Sequence, residues 1–141
     1  MARKRMIDPN IWQSEDFSKL SNLSKLCFIG LFSNADDEGY GKANPIYIKS
    51  ILFPFEEKVR AADIEKSLLE IAANMSVVFY TALDGKDYYV LTNWDKWQSI
   101  QKPTESRIPK LNDTCKVIYS EKSGITVGVQ EDYDSTTVGV A

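Results

Sequence analysis

The sequence predicts an α+β chain of the winged helix-turn-helix type: a three-helix core, a β-hairpin wing and a C-terminal extension. Three observations carry this. Apolar residues recur at steps of three and four in three separate stretches between residues 20 and 75, the mark of helical stripes. Residues 77–83 and 87–92 are rich in β-branched and aromatic side chains, as strands are. Between them stands Asp84-Gly85, a strong hairpin signal because glycine tolerates the positive φ of a tight turn.

Residues 3–12 read as a basic arm running into a short extended segment, with Met6, Ile7, Ile11 and Trp12 as its apolar members. Pro9 disfavours helix at Asp8. The first helix is expected over 20–35. Leu20, Leu23, Leu26, Cys27, Gly30, Leu31 and Asn34 form its stripe, and Phe28, Phe32 and Ala35 widen it. The Asn, Asp and Gly residues of 34–41 end it. Asn44-Pro45 opens the second helix, since asparagine can accept from first-turn N–H groups and proline there sacrifices no bond. Ile46, Ile48, Ile51 and Leu52 give it contacts, and Phe53-Pro54 closes it. The third helix begins near Ala61 or Ala62 and ends near Asn74, with Ile64, Leu68, Ile71 and Met75 in line and Leu69 and Ala72 beside them. Asp63 and Glu65 in its first turn complement the helix dipole.

After the hairpin, Asn93 is expected to cap a short helix carrying Trp94 and Trp97. Residues 102–112 are polar, hold two prolines and read as an extended connector. Residues 1–110 thus form the winged-helix domain with its arm, and 111–141 an extension. In the extension, 116–119 and 125–129 read equally as a second hairpin or as a loose tail, and the last ten residues as a mobile tail.

A chain of 141 residues is one domain in size, and 43% apolar content suits an ordinary core. No apolar run approaches the ~20 residues that span a bilayer, and no apolar signal segment follows the basic start, so a cytoplasmic protein is expected. The chain has no histidine, which removes Ser-His-Asp and Cys-His nucleophile pairs. Its two cysteines, Cys27 and Cys115, suit neither a disulfide in that compartment nor a cysteine-rich zinc site, and Cys27 falls on a core face. No GxxxxGK[ST] loop is present. The expectation is a protein that is not an enzyme and uses no cofactor or metal.

Net charge is −3, but residues 116–141 carry −2 of it and the first 115 only −1, so nucleic-acid binding would rest on local patches. The candidates are four. Arg3, Lys4 and Arg5 form a basic arm of the kind that contacts phosphates or a minor groove. Lys58, Arg60 and Lys66, with Asn74, lie on the third helix and the turn before it, the element that enters the major groove in helix-turn-helix proteins. Asp63, Glu65 and Glu70 share that helix, so a solvated mixed-charge face is an equal reading. Lys86 sits at the hairpin tip between Asp84 and Asp87. Lys96, Lys102, Arg107 and Lys110 form a basic stretch interleaved with Gln98, Gln101, Thr104 and Ser106, which can donate to phosphates; an ordinary polar connector fits equally.

Two other clusters could carry chemistry. Asp36-Asp37-Glu38 could bind a divalent cation for phosphodiester hydrolysis, but a calcium loop would need a distal acid where Tyr47 stands, and a solvated turn is the simpler reading. Trp12, Trp94, Trp97, Tyr88 and Tyr89 could stack bases, although aromatics beside a hairpin more often close a core.

The order Arg3-Lys4-Arg5-Met6-Ile7-Asp8-Pro9-Asn10-Ile11-Trp12, then 34–39 (Asn-Ala-Asp-Asp-Glu-Gly), 93–98 (Asn-Trp-Asp-Lys-Trp-Gln) and 103–109 (Pro-Thr-Glu-Ser-Arg-Ile-Pro), covers about three quarters of the chain. It resembles the N-terminal winged-helix domain of bacteriophage and prophage replication-initiation proteins, the replisome organisers related to the DnaD type. The resemblance implies a non-catalytic, origin-binding domain acting on duplex DNA in a bacterial host cell, with the acidic turn as a recurring element of the fold. The family's helicase-loading contacts are assigned to a second, helical domain for which 141 residues leave no room, so that role is not carried over. It also implies replisome partners and self-association. The rival expectation is a phage-encoded, protein-binding inhibitor of a host nucleic-acid enzyme such as a CRISPR effector, its acidic positions occupying a basic channel.

Overall fold

The computed structural model describes residues 3–119. Its helices are α1 (Glu15–Ser18), α2 (Asn22–Asn34), α3 (Pro45–Leu52), α4 (Ala61–Asn74) and α5 (Trp94–Trp97). Its strands are β1 (Tyr40–Lys42), β2 (Val77–Thr81), β3 (Asp87–Leu91) and β4 (Lys116–Tyr119). The architecture is α+β: one antiparallel sheet in the order β1-β3-β2-β4, with α2, α3 and α4 sharing a core with one of its faces.

The three expected helices and the hairpin form where local chemistry favours them. The Ser21 hydroxyl accepts the Ser24 N–H, so α2 starts at Asn22 and Leu20 is buried just ahead of it. Within α2, Leu26 departs from the expected stripe and is 56% exposed. The Asn44 carboxamide oxygen accepts from Ile46 and Tyr47 N–H at 2.8 and 3.3 Å, fixing the start of α3. The Asp63 carboxylate reaches back to the Arg60 N–H at 2.9 Å and starts α4, whose Ile64, Leu68 and Ile71 are buried. Gly85 has φ +79° at the hairpin turn.

Several local expectations are corrected. Residues 9–13 form a 3-10 turn, not an extended segment, because the Asp8 carboxylate caps Asn10 N–H and Pro9 costs nothing at the first position. Helix α5 is present, but Asn93 does not cap it; its amide donates to the Ser76 hydroxyl across the base of the hairpin. The turn after α2 also contains β1, which pairs Tyr40 with Val90 and Lys42 with Tyr88. Gly41 is required there, because a Cβ would run into the Tyr89 ring.

The sheet is covered on both faces. Val77, Phe79, Tyr89 and Leu91 point into the helical core, and Val78, Tyr80, Tyr88 and Val90 into a second cluster. Ile108 and Leu111 pack on that second cluster, and the Tyr80 hydroxyl donates to the Pro109 carbonyl at 2.8 Å. The connector is therefore a packed layer. Residues 116–119, read equally as a strand or as loose tail, form a strand, and it pairs with β2 and extends the main sheet. The alternative readings of 125–129 as strand or loose tail, and the tail beyond, lie outside the described residues. No helix among the described residues is long and apolar enough to cross a membrane.

Candidate nucleic-acid interface

The acidic turn after α2 organises the basic candidates. One Asp36 carboxylate oxygen accepts the Glu38 and Tyr40 N–H groups at 3.0 Å each, and the other accepts the Ser106 hydroxyl. Asp37 lies 3.0 Å from Arg5 Nη2 and 3.3 Å from Arg3 Nε, and accepts the Thr104 N–H at 2.9 Å. The Thr104 N–H, then the Arg5 and Arg3 guanidinium groups, hold the Asp37 carboxyl below its ordinary 3.8. Its backbone carbonyl accepts the Trp94 indole N–H at 2.8 Å. Glu38 pairs with Lys110 at 3.3 Å, which raises the Lys110 ammonium above its ordinary value.

Arg5 is the centre of this arrangement. Its Nη2 also donates to the Ala35 carbonyl at 2.8 Å, and its guanidinium carbon stands 5.1 Å from the Trp94 ring centroid. Only 2% of its side chain is exposed. Arg5 is thus a structural cation and does not belong to the surface available to a polyanion.

The arm is thereby laid alongside the connector in the opposite direction. Met6 exchanges two hydrogen bonds with the Gln98 carboxamide, its N–H donating at 3.0 Å and its carbonyl accepting at 2.9 Å. Arg3 donates to the Gln101 carbonyl and the Thr104 hydroxyl at 3.4 and 3.5 Å. Arg3 is therefore brought beside Gln101, the chain neighbour of exposed Lys102, although about 98 residues separate the two segments, and Lys4, next to Arg3 in the chain, is exposed. Lys102 adopts a positive φ of 52° beside Gln101. Arg107 is exposed one residue beyond Ser106. Lys96 Nζ rests 5.0 Å over the Trp97 ring.

The remaining candidates stand apart from this ribbon. Lys58 and Arg60 are exposed on the turn between α3 and α4, and Lys66 is exposed on α4. The acids that share α4 are partly committed: Asp63 to the Arg60 N–H, and Glu70 to the Ser21 N–H at 2.9 Å. The Ser24 hydroxyl and the Ser21 N–H hold Glu70 below the usual carboxylate range. Glu65 remains exposed beside Lys66. Asn74 donates to its own helix, to the Glu70 carbonyl. Lys86 lies at the hairpin tip, at the opposite end of β3 from Leu91 and α5. There Asp84 accepts both the Lys86 N–H and the Tyr88 hydroxyl.

The acidic cluster is absorbed by the fold, and the aromatic one only in part, with Trp12 and Trp97 exposed. Among the described residues, no group of three or more His, Cys, Asp or Glu is arranged to hold a metal ion. Tyr88, Tyr89 and Trp94 are buried, which takes their faces away from nucleobases, while Trp12 is 62% exposed and packs edge-on to Phe17. Burial pushes the Cys27 thiol up to about 11, unsuited to a nucleophile. Sequence reasoning recognised the charged residues but not Gln98, Thr104 and Ser106 as the groups that dock the connector, because no local pattern links them to residues 3–6 or 36–37. Comparison with protein-family models, curated proteins and solved structures finds no match.

Proposed function

We propose that this chain is a non-catalytic, duplex-DNA-binding protein on a winged helix-turn-helix scaffold, acting in the manner of the origin-binding domain of a phage or prophage replication initiator. The observation that carries this reading is the alignment of the arm with the connector, which brings Arg3 to Gln101 beside exposed Lys102, with exposed Lys4 next to Arg3 in the chain. The order of α2, β1, α3, α4 and the β2–β3 hairpin, with β1 paired to β3, supports the scaffold. Exposed Lys58, Arg60 and Lys66 supply a second cationic element at the start of α4. Glu65 beside them argues for phosphate positioning over base readout by this helix. Fluorescence anisotropy against random duplex, single strand and origin-like repeats, from low to physiological salt, tests the proposal. Affinity for duplex that falls steeply with salt supports it.

One observation favours a second reading, a protein-binding inhibitor of a host nucleic-acid enzyme. The turn after α3 presents Phe55, 94% exposed, beside exposed Glu56 and Glu57, an apolar and acidic combination. Inhibition of a purified host nucleic-acid enzyme that Phe55→Ala abolishes, with no affinity for DNA, would select this reading.

A further inference from the structure

A concavity adjoins the basic ribbon and shares Met6 and Gln98 with it. It is a cleft of about 310 Å³ between the N-terminal turn, α2, the α4–β2 junction and α5. Its walls are apolar: Met6, Ile11, Phe28, Met75, Trp94 and Trp97. Its polar rim includes two carboxylates, Asp8, which also caps the Asn10 N–H, and Asp16, which lies 3.9 Å from Lys19 beyond the rim, and no lysine or arginine of the described residues lines the cleft itself. The volume stands at the low end of small-molecule sites, about 300–1,000 Å³, and is of the order that side chains of a docked segment fill. Apolar surface continues beyond the rim. Met6 is 52% exposed, Trp97 39%, and the neighbouring Ile7 and Trp12 46% and 62%.

Exposed tryptophan and methionine around an apolar recess are what interface anchors are made of: large, partly desolvated and, for methionine, adaptable in shape. We propose that this cleft docks a basic amphipathic helix of a partner protein, which inserts bulky apolar side chains between Met6, Met75 and Trp97 and sets lysines or arginines against Asp8 and Asp16. Charge complementarity selects this occupant over the chain's own C-terminal residues. Residues 120–141 carry a net −3, the same sign as the rim. A helix laid in a groove uses apolar anchors on one face and leaves its charged face to the rim, which matches the division of the lining here.

The test uses the full chain with methyl-labelled methionine and two probes: a leucine-lysine amphipathic helix of roughly four turns, and its leucine-glutamate counterpart. The expected result is perturbation of the Met6 and Met75 methyl signals by the lysine peptide alone. Trp97→Lys and Met6→Lys should each weaken binding about tenfold, as loss of a central anchor does, while Asp113→Lys, on the exposed turn before β4, leaves it within about twofold. Two surface variants are used so that a folding defect in one, checked by thermal unfolding, does not decide the matter. Equal binding of both peptides, binding that leaves the two methyl signals unmoved, or cross-relaxation in the free protein between those methyls and valines of residues 127–140 would each overturn the proposal.

Discussion

Arg5 Nη2 stands 3.0 Å from Asp37 Oδ1, 32 residues further along, and both side chains are at most 5% exposed. That pair ties the N-terminal arm to the turn between α2 and β1. Through Thr104 N–H on the same carboxylate, it ties in the connector as well. Arg5→Ala should therefore lower the melting temperature by several degrees, because Asp37 would lose its most buried partner. Arg5→Lys should recover little, since one ammonium cannot bond Ala35 and Asp37 and also stack on Trp94. Thermal unfolding of the two variants checks this; a wild-type melting temperature for Arg5→Ala would contradict it.

The same carboxylate sets an acid limit on the arm. The folded-state pKa of Asp37 lies below its ordinary 3.8. Its contribution is therefore fully present above that value and is lost as pH falls through the lower, folded one. The arm should stay docked at neutral pH and release only below about pH 4. Trp94 fluorescence followed on acidification should report the release, and Asp37→Asn should remove that transition.

Gly41 and Tyr89 make a close contact between β1 and β3. Gly41→Ala should cost about 1–3 kcal/mol, because the new methyl meets the ring of a tyrosine enclosed on all sides. Tyr89→Phe keeps the ring and loses the 2.6 Å bond to the Leu31 carbonyl, for about 1–2 kcal/mol. Denaturant unfolding of the two variants measures these costs.

Such contacts mark where the sequence stops being legible. The α2, α3 and α4 segments and the hairpin could be read locally, because stripe spacing, Asn44-Pro45 and Asp84-Gly85 act over a few residues. Strand β1 could not, because Tyr40-Gly41-Lys42 has no alternation of its own and is a strand only by virtue of Val90, Tyr89 and Tyr88. The site divides in the same way. Its cations are visible as letters, but the burial of Arg5 depends on Asp37 and Trp94, and the docking of the connector on Ser106 and Asp36. The polar connector is a packed layer for a similarly non-local reason: Ile108 and Leu111 need the far face of the hairpin before their apolar character has meaning.

Both thiols should be inert in the folded protein. Cys27 and Cys115 are buried, and the Cys27 pKa is pushed to about 11 by desolvation. Iodoacetamide at neutral pH should alkylate neither in the native state, and both on unfolding in urea. Rapid native-state labelling of Cys27 would contradict the helical core placed around it.

The most direct test of the central claim compares DNA binding by the wild type and by Arg3→Ala/Lys4→Ala/Lys102→Ala across a salt series. If arm and connector act as one phosphate-binding surface, the wild type should show a linear fall of log affinity with log salt. The variant's slope should be shallower by roughly one for each phosphate it no longer neutralises. A wild type with no salt-dependent affinity for any DNA at low ionic strength, or a variant with an unchanged slope, would contradict it.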